Sequence, residues 1–282
     1  MSRRSVAARQ HVFSFYAKNT VGSRRQSGTP VHLKPKIQET KMLNRDDFRK
    51  QLRAELNSRL TLDHPLIDEI SKPEKNLPLM RLIATQGYQL TKVFARYIGG
   101  LYFNCPDRHF SRRLAFNVYE EETGRISKTD GHLELMQRFI YALGIAPDEL
   151  EAVQPLPETK ELIDYRMNFV RDPAQFHKGA AAVMIASEGQ NLETKAGRMR
   201  HQMIPTVYGL TARELEFFSV HAAEDVGHVR EGIDLVSLVC TTGQMQQEAI
   251  EAIHGTCDRF WQFYDGIQRV YEDENLMCAV SA

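Results

Sequence analysis

VHAAEDVGHVREG, residues Val220–Gly232, sets His221, Asp225 and His228 four and then three positions apart. On a helix of 3.6 residues per turn those steps bring three side chains within about 60° of one another. The same face carries Phe217, Phe218, Leu235, Val236 and Val239, so two imidazoles and a carboxylate project into apolar surroundings. An unpartnered charge there costs several kcal/mol. A metal ion removes that cost, and a set of two histidines and one carboxylate suits non-haem iron. A buried Asp–His hydrogen-bond pair with a separate core histidine also accounts for the triplet, and the rest of the chain has to discriminate.

Helical spacing continues outward in both directions. Asn44 is placed to cap a segment with Phe48, Leu52, Leu56 and Leu60 on one side. HPLIDEI reads as a short helix entry, and a Pro/Lys-rich break at 73–78 precedes the long apolar segment 77–103. Cys105-Pro106-Asp107 opens a helix that Gly124 closes, and Thr129 or Asp130 caps the next, which ends at Gly144. APDELEAV and PETKELIDYRMNFVRD read as shorter, more exposed helices. Pro173 opens a long helix to about residue 203, which Pro205 terminates. Thr211 caps the triplet's helix, and Gly243 separates it from a last long helix through Tyr271. No run alternates as a strand would, and no repeat is present. The expected architecture is all-α, a bundle of roughly eight to ten helices.

Apolar content of 42% and charged content of 26% are those of a soluble globular protein, and no apolar run is long enough for a membrane span. Lys plus Arg and Asp plus Glu balance at 36 each, but residues 1–38 hold eight of the bases and none of the acids. The remainder is therefore 28 basic against 36 acidic, a balance of −8, which argues against nucleic acid as a partner. Cys105, Cys240, Cys257 and Cys278 include no C-x-x-C pair. That fits a reducing compartment, and the cytoplasm is the expected one. Residues 1–42 are expected to form a basic, disordered tail, although their composition is also that of an organellar transit peptide. Residues 43–282 are expected to be the helical domain.

Other apolar stripes are interrupted by ionisable groups. On the helix ending at Gly124 the stripe Phe110, Leu114, Val118 continues to Glu121, with Asn117 alongside. Glu120 and Glu122 fall about 100° to either side, toward solvent. The alternative is that all three glutamates decorate a fraying helix end. His132 aligns with Met136, Phe139 and Leu143 and could equally be a capping or packing residue. Glu188 shares a face with Ala181, Met184, Ile185, Leu192 and Met199. Lys195 or Arg198 could partner it, but Lys195 lies about 10 Å further along the helix. One dinuclear site built from Glu121, His132, Glu188, His221, Asp225 and His228 satisfies all six groups together. Its nitrogen and oxygen donors, without thiolate, favour iron or manganese over structural zinc. Glu251 and His254 have the E-x-x-H spacing of ferritin-like di-iron proteins. Glu251 lies about 140° from the centre of the stripe Ile250, Ile253, Cys257, Phe260, Tyr264, so that pair is expected to face solvent.

With those residues in place, residues 60–270 resemble the haem-oxygenase-like non-haem di-iron oxidases and oxygenases. These iron-containing redox enzymes share a superfamily with the PqqC and TenA proteins. Three signatures carry the resemblance: N-x-x-E-E-x-x-G from Asn117 to Gly124 with a histidine opening the next helix, Glu188 followed by Gln190, and H-x3-D-x2-H from His221 to His228. The eleven-residue step from Glu121 to His132, which includes RISKTDG, is longer than in many relatives. The resemblance implies a haem-oxygenase-like bundle, six iron ligands at the positions above, two Fe(II) ions, O2 as co-substrate and an external reductant. It makes Glu121, Glu188 and Asp225 the catalytic carboxylates, and it implies a small-molecule substrate and a homodimer. The expected reaction is N-oxygenation of an amine or amino-acid-like metabolite in a specialised pathway, with Lys195 and Arg198 as candidate anchors for a substrate carboxylate. Oxidative C–C cleavage or decarboxylation at the same site, or a metal-free PqqC/TenA-like activity, are the alternatives.

Overall fold

Apolar side chains at helical spacing bury one face of nearly every element, and the bundle follows from how those faces meet. The computed structural model describes residues 41–190, apart from 71 and 73, and residues 207–281. The tail before residue 41 lies outside the described residues, as do Leu192, Lys195, Arg198, Met199 and Pro205. In chain order the α-helices are α1 (Arg45–Ser58), α2 (Pro65–Ile70), α3 (Leu77–Asn104), α4 (Arg108–Thr123) and α5 (His132–Ala142). They continue with α6 (Pro147–Ala152), α7 (Pro157–Arg171), α8 (Phe176–Ala180), α9 (Glu216–Val239) and α10 (Gly243–Ser281). No strand occurs among the described residues, and no helix among them is long and apolar enough to cross a membrane.

Several boundaries follow local chemistry. The Asn44 side chain accepts from Asp47 N at the start of α1, and the Asp107 side chain accepts from Phe110 N at the start of α4. Gly124 ends α4 at φ 60°, the left-handed conformation of a C-terminal cap. A side chain there is excluded twice over, because a Cβ would also fall 2.1 Å from Asp130 O. Two expected caps differ. Gly131, not Thr129 or Asp130, precedes α5. Thr211 and Glu214 do exchange hydrogen bonds, with Glu214 Oε2 accepting from Thr211 N at 2.6 Å and Thr211 Oγ1 from Glu214 N at 3.3 Å. They stabilise a turn ahead of α9, which begins only at Glu216.

α8 changes character as it enters the interior. Ala181–Ser187 is a π-helical segment, and residues 179–190 are buried throughout. Its wider turn re-aims the side chain that comes directly after it, and that side chain is Glu188. Pro173 itself sits in a 3-10 turn ahead of α8 rather than in the helix. α9 packs hard against this segment because residue 232 is glycine. A Cβ there would stand 2.8 Å from Met184 Cβ and 3.0 Å from Met184 O. Ion pairs brace α9 from other sides: Arg138 of α5 binds Glu216 at 2.6 Å, and Arg113 of α4 binds Glu231. Cys240 and Cys257 are free buried thiols whose pKa values burial pushes up to about 12. They stay protonated and supply no thiolate.

Gly232→Ala should destabilise the protein by about 1–3 kcal/mol through overpacking, measured by urea unfolding. At Gly99 in α3 an added Cβ would meet no atom within 4 Å. Gly99→Ala should therefore stabilise by about 0.5–1 kcal/mol, the usual helix-interior gain.

Candidate metal centre

Glu121 reaches the interior from the last turn of α4 and is buried. The chain then reverses through residues 124–131 and presents His132 as the first residue of α5. His132 Nδ1 stands 3.0 Å from Glu121 Oε2. Glu120 governs that return. Its carboxylate accepts from Ile126 N at 2.6 Å, from Ser127 N at 3.1 Å and from Ser127 Oγ. Burial would raise its pKa, but the Ser127 and Ile126 donors outweigh it and hold the carboxyl below its ordinary value. The expectation that Glu120 faces solvent is therefore corrected: it is 4% exposed, because the loop folds back over it. Glu122 is exposed, as expected. Helical phase placed Glu120 on the flank of α4, and only the loop's return buries that flank.

α9 supplies donors to two places. His221 joins Glu121 and His132, with ligand-capable atoms mutually within 4.8 Å, and its ring centroid lies 4.6 Å from that of His132. Its Nδ1 donates to Phe217 O at 2.6 Å, which leaves Nε2 as the lone-pair donor. Burial and then the neighbouring His132 hold the His221 imidazole below its ordinary pKa, in the neutral form a metal requires. Asp225 and His228 lie in the following turns and join Glu188 in a second group of the same compactness. His228 Nδ1 is 3.5 Å from Glu188 Oε1 and 3.9 Å from Asp225 Oδ1. Burial opposes ionisation of Glu188, yet the facing His228 keeps its carboxyl below the usual range. The helix beyond Glu188 is pinned by Gln190, whose Oε1 accepts from Thr61 N at 2.8 Å and whose Nε2 donates to Cys257 Sγ.

All six residues expected at a metal site thus converge, as two groups of three rather than one undivided set. Their donors are nitrogen and oxygen, and both groups combine carboxylate with imidazole, as divalent first-row ions prefer. Glu188 Oε1 meets His228 Nδ1 only at the long distance of 3.5 Å, and Asn117 Oδ1 accepts no hydrogen bond among the described residues. Buried acceptors so weakly satisfied are what a cation would complete. The residues present fit divalent first-row metal ions, iron among them. The ferritin-like pair is at the surface, with Glu251 exposed and His254 bonded to Glu55 at 2.7 Å.

Both groups reach one cavity, which Glu121 and His221 of the first and Glu188 of the second line together with Met136, Phe217 and Phe263. Arg166 of α7 also lines it. The sequence suggested an exposed α7. Instead Thr159, Leu162, Arg166 and Val170 form a buried face, and Arg166 is 1% exposed. Burial pushes its guanidinium below the ordinary value, opposed by Tyr97. Ring faces of Tyr97 and Phe260 at 4.8 and 5.3 Å offset part of that cost, by about 0.5–2 kcal/mol each. The missed signal was an i, i+3, i+4 apolar stripe with a cation in a core position.

Residues 81–261 match the sequence model of a family described as iron-containing redox enzymes. The chain is 27% identical over 242 residues to a 4-aminobenzoate synthase of Nitrosomonas europaea, covering 82% of this chain and 94% of that one. It is 24% identical over 220 residues to a 4-aminobenzoate synthase of Chlamydia trachomatis serovar D, covering 76% and 92%. A crystal structure of a domain of unknown function from Shewanella denitrificans, with a haem-oxygenase-like fold, superposes with a TM-score of 0.63 at 16% identity. That alignment covers 82% of this chain and 95% of that one. The fold is therefore the haem-oxygenase-like bundle.

Glu120→Ala should cost about 2 kcal/mol or more, since several donors lose a charged acceptor, and should speed amide exchange across 125–131. Glu122→Ala, on the solvent side, should stay within about 0.5 kcal/mol of the parent.

Proposed function

The chain belongs to the iron-containing redox enzymes, and on that premise we propose a non-haem di-iron oxygenase that uses O2 to N-oxygenate a small amine or amino-acid-like metabolite. Glu121, His132 and His221 would hold one ion, and Glu188, Asp225 and His228 the other. The observation that carries this reading is the pair of three-residue groups meeting at a single cavity. Bound ferrous iron supplies the electrons that make O2 reactive, replenished by an external reductant.

The protein's own contribution is to place and shield. Glu121, Glu188 and Asp225 would be the catalytic carboxylates in the sense that their negative charge balances the cations. The Phe217 carbonyl fixes the tautomer and plane of His221. Phe217, Phe218 and Phe263 line the cavity with apolar surface, on which the body of an organic substrate would lie. Relatives named for the synthesis of 4-aminobenzoate, an aromatic amine with a carboxylate, support a small amine-bearing compound. A metal-free activity is less well supported, because the chain belongs to a family of iron-containing redox enzymes.

Anaerobic loading with Fe(II) should give about two equivalents of iron per chain, one for each group. An O2 pulse should then produce a stopped-flow absorbance transient. Glu121→Ala or His221→Ala should reduce the iron by about half, as should Asp225→Ala or His228→Ala. All four should lose the transient. Parental kinetics in both Asp225→Ala and His228→Ala would overturn the assignment.

A further inference from the structure

Arg166 is among the largest fully buried side chains, yet it lines the cavity shared by the two donor groups. Its Nε donates to Leu162 O at 3.1 Å, and its Nη1 donates to Ser187 Oγ at 3.0 Å. Tyr97 and Phe260 cover its faces. Nη2 is buried and has no acceptor, and no carboxylate among the described residues pairs with the guanidinium. A guanidinium keeps its charge in a protein. This one therefore sits in the cavity wall with an unused donor and no ion-paired carboxylate among the described residues.

We infer that Arg166 anchors a carboxylate carried by the substrate. Nη2 donates to the carboxylate, and the organic body lies along Leu90, Phe94 and Phe263 of the same cavity. A hydrogen bond from a charged donor to a carboxylate is among the stronger ones a binding site can make. A single cation set among apolar walls balances a monoanion, whereas a phosphate dianion would bring uncompensated charge into the same surroundings. Ser187, which accepts from Nη1, immediately precedes Glu188, so the anchored group is held beside the second donor group. The inference rests on the cavity being the substrate site of the proposed oxygenase, and it narrows that substrate to an amino acid or amino-substituted acid.

The test is calorimetric titration of the full chain with 4-aminobenzoate and with its neutral analogue 4-aminobenzamide. The unmutated protein should bind the acid about tenfold or more tighter than the amide. Arg166→Met should lose that preference by weakening the acid alone, and Arg166→Lys should restore part of it. Equal affinity of the unmutated protein for acid and amide, binding of neither, or undiminished acid binding by Arg166→Met overturns the anchor. The comparison on unmutated protein does not depend on any variant folding. Iron content of the same samples separates the two claims. Protein that takes up no iron but prefers the acid keeps the anchor and removes the di-iron reading. Iron-loaded protein indifferent to charge does the reverse.

Discussion

Carboxylates and imidazoles must be taken out of water to reach the middle of this bundle, and the placement of the surrounding helices reflects how that cost is met. Glu188 is 1% exposed and Glu121 7%, burials that ionised groups do not tolerate without compensation. Each faces an imidazole from another helix. The helices are in turn held to one another by contacts that leave little play. Glycine at 232 lets α9 lie against the π segment, and ion pairs from α4 and α5 brace its outer faces. The electrostatic requirement at the centre and the packing requirement around it are met by the same elements.

The donors and the walls of the cavity come largely from different parts of the chain. α4, α5, the end of the π segment and α9 provide donors, while α2, α3, α7 and α10 provide most of the lining. Positively charged Arg166 is an exception to the apolar character of those walls. Its neighbour Ser187 accepts from the guanidinium and donates in turn to Ala182 O at 2.9 Å within the π segment. The irregular helix, the buried guanidinium and the carboxylate of Glu188 thus form one connected unit.

Much of this was legible in the sequence because helical phase is a local property. The steps from His221 to Asp225 to His228 need only one regular helix, and Glu121 follows from Phe110, Leu114 and Val118 by the same arithmetic. Features that phase cannot express were misread or missed. Glu120 is buried by a loop that returns over it, a contact set by Gly124's left-handed turn rather than by α4 itself. The division of the six donors into two groups depends on where the π segment beyond α8 meets α9. Arg166 interrupts an otherwise apolar face, so α7 looked exposed when it is not. The Ala-rich run 179–182 gives no hint of a π segment, yet Glu188 was placed inward correctly because that whole stretch is buried.

α9 contributes to both donor groups from adjacent turns of a single helix, so the interval between them is fixed by the rise of the backbone, about 6 Å from residue 221 to 225. No loop intervenes that could stretch or shrink it. A lineage descending from this protein could therefore exchange residues on α3 or α10 to admit new reactants while inheriting the interval unchanged. The spacer works as a ruler built into the chain, and divergence is channelled toward the walls.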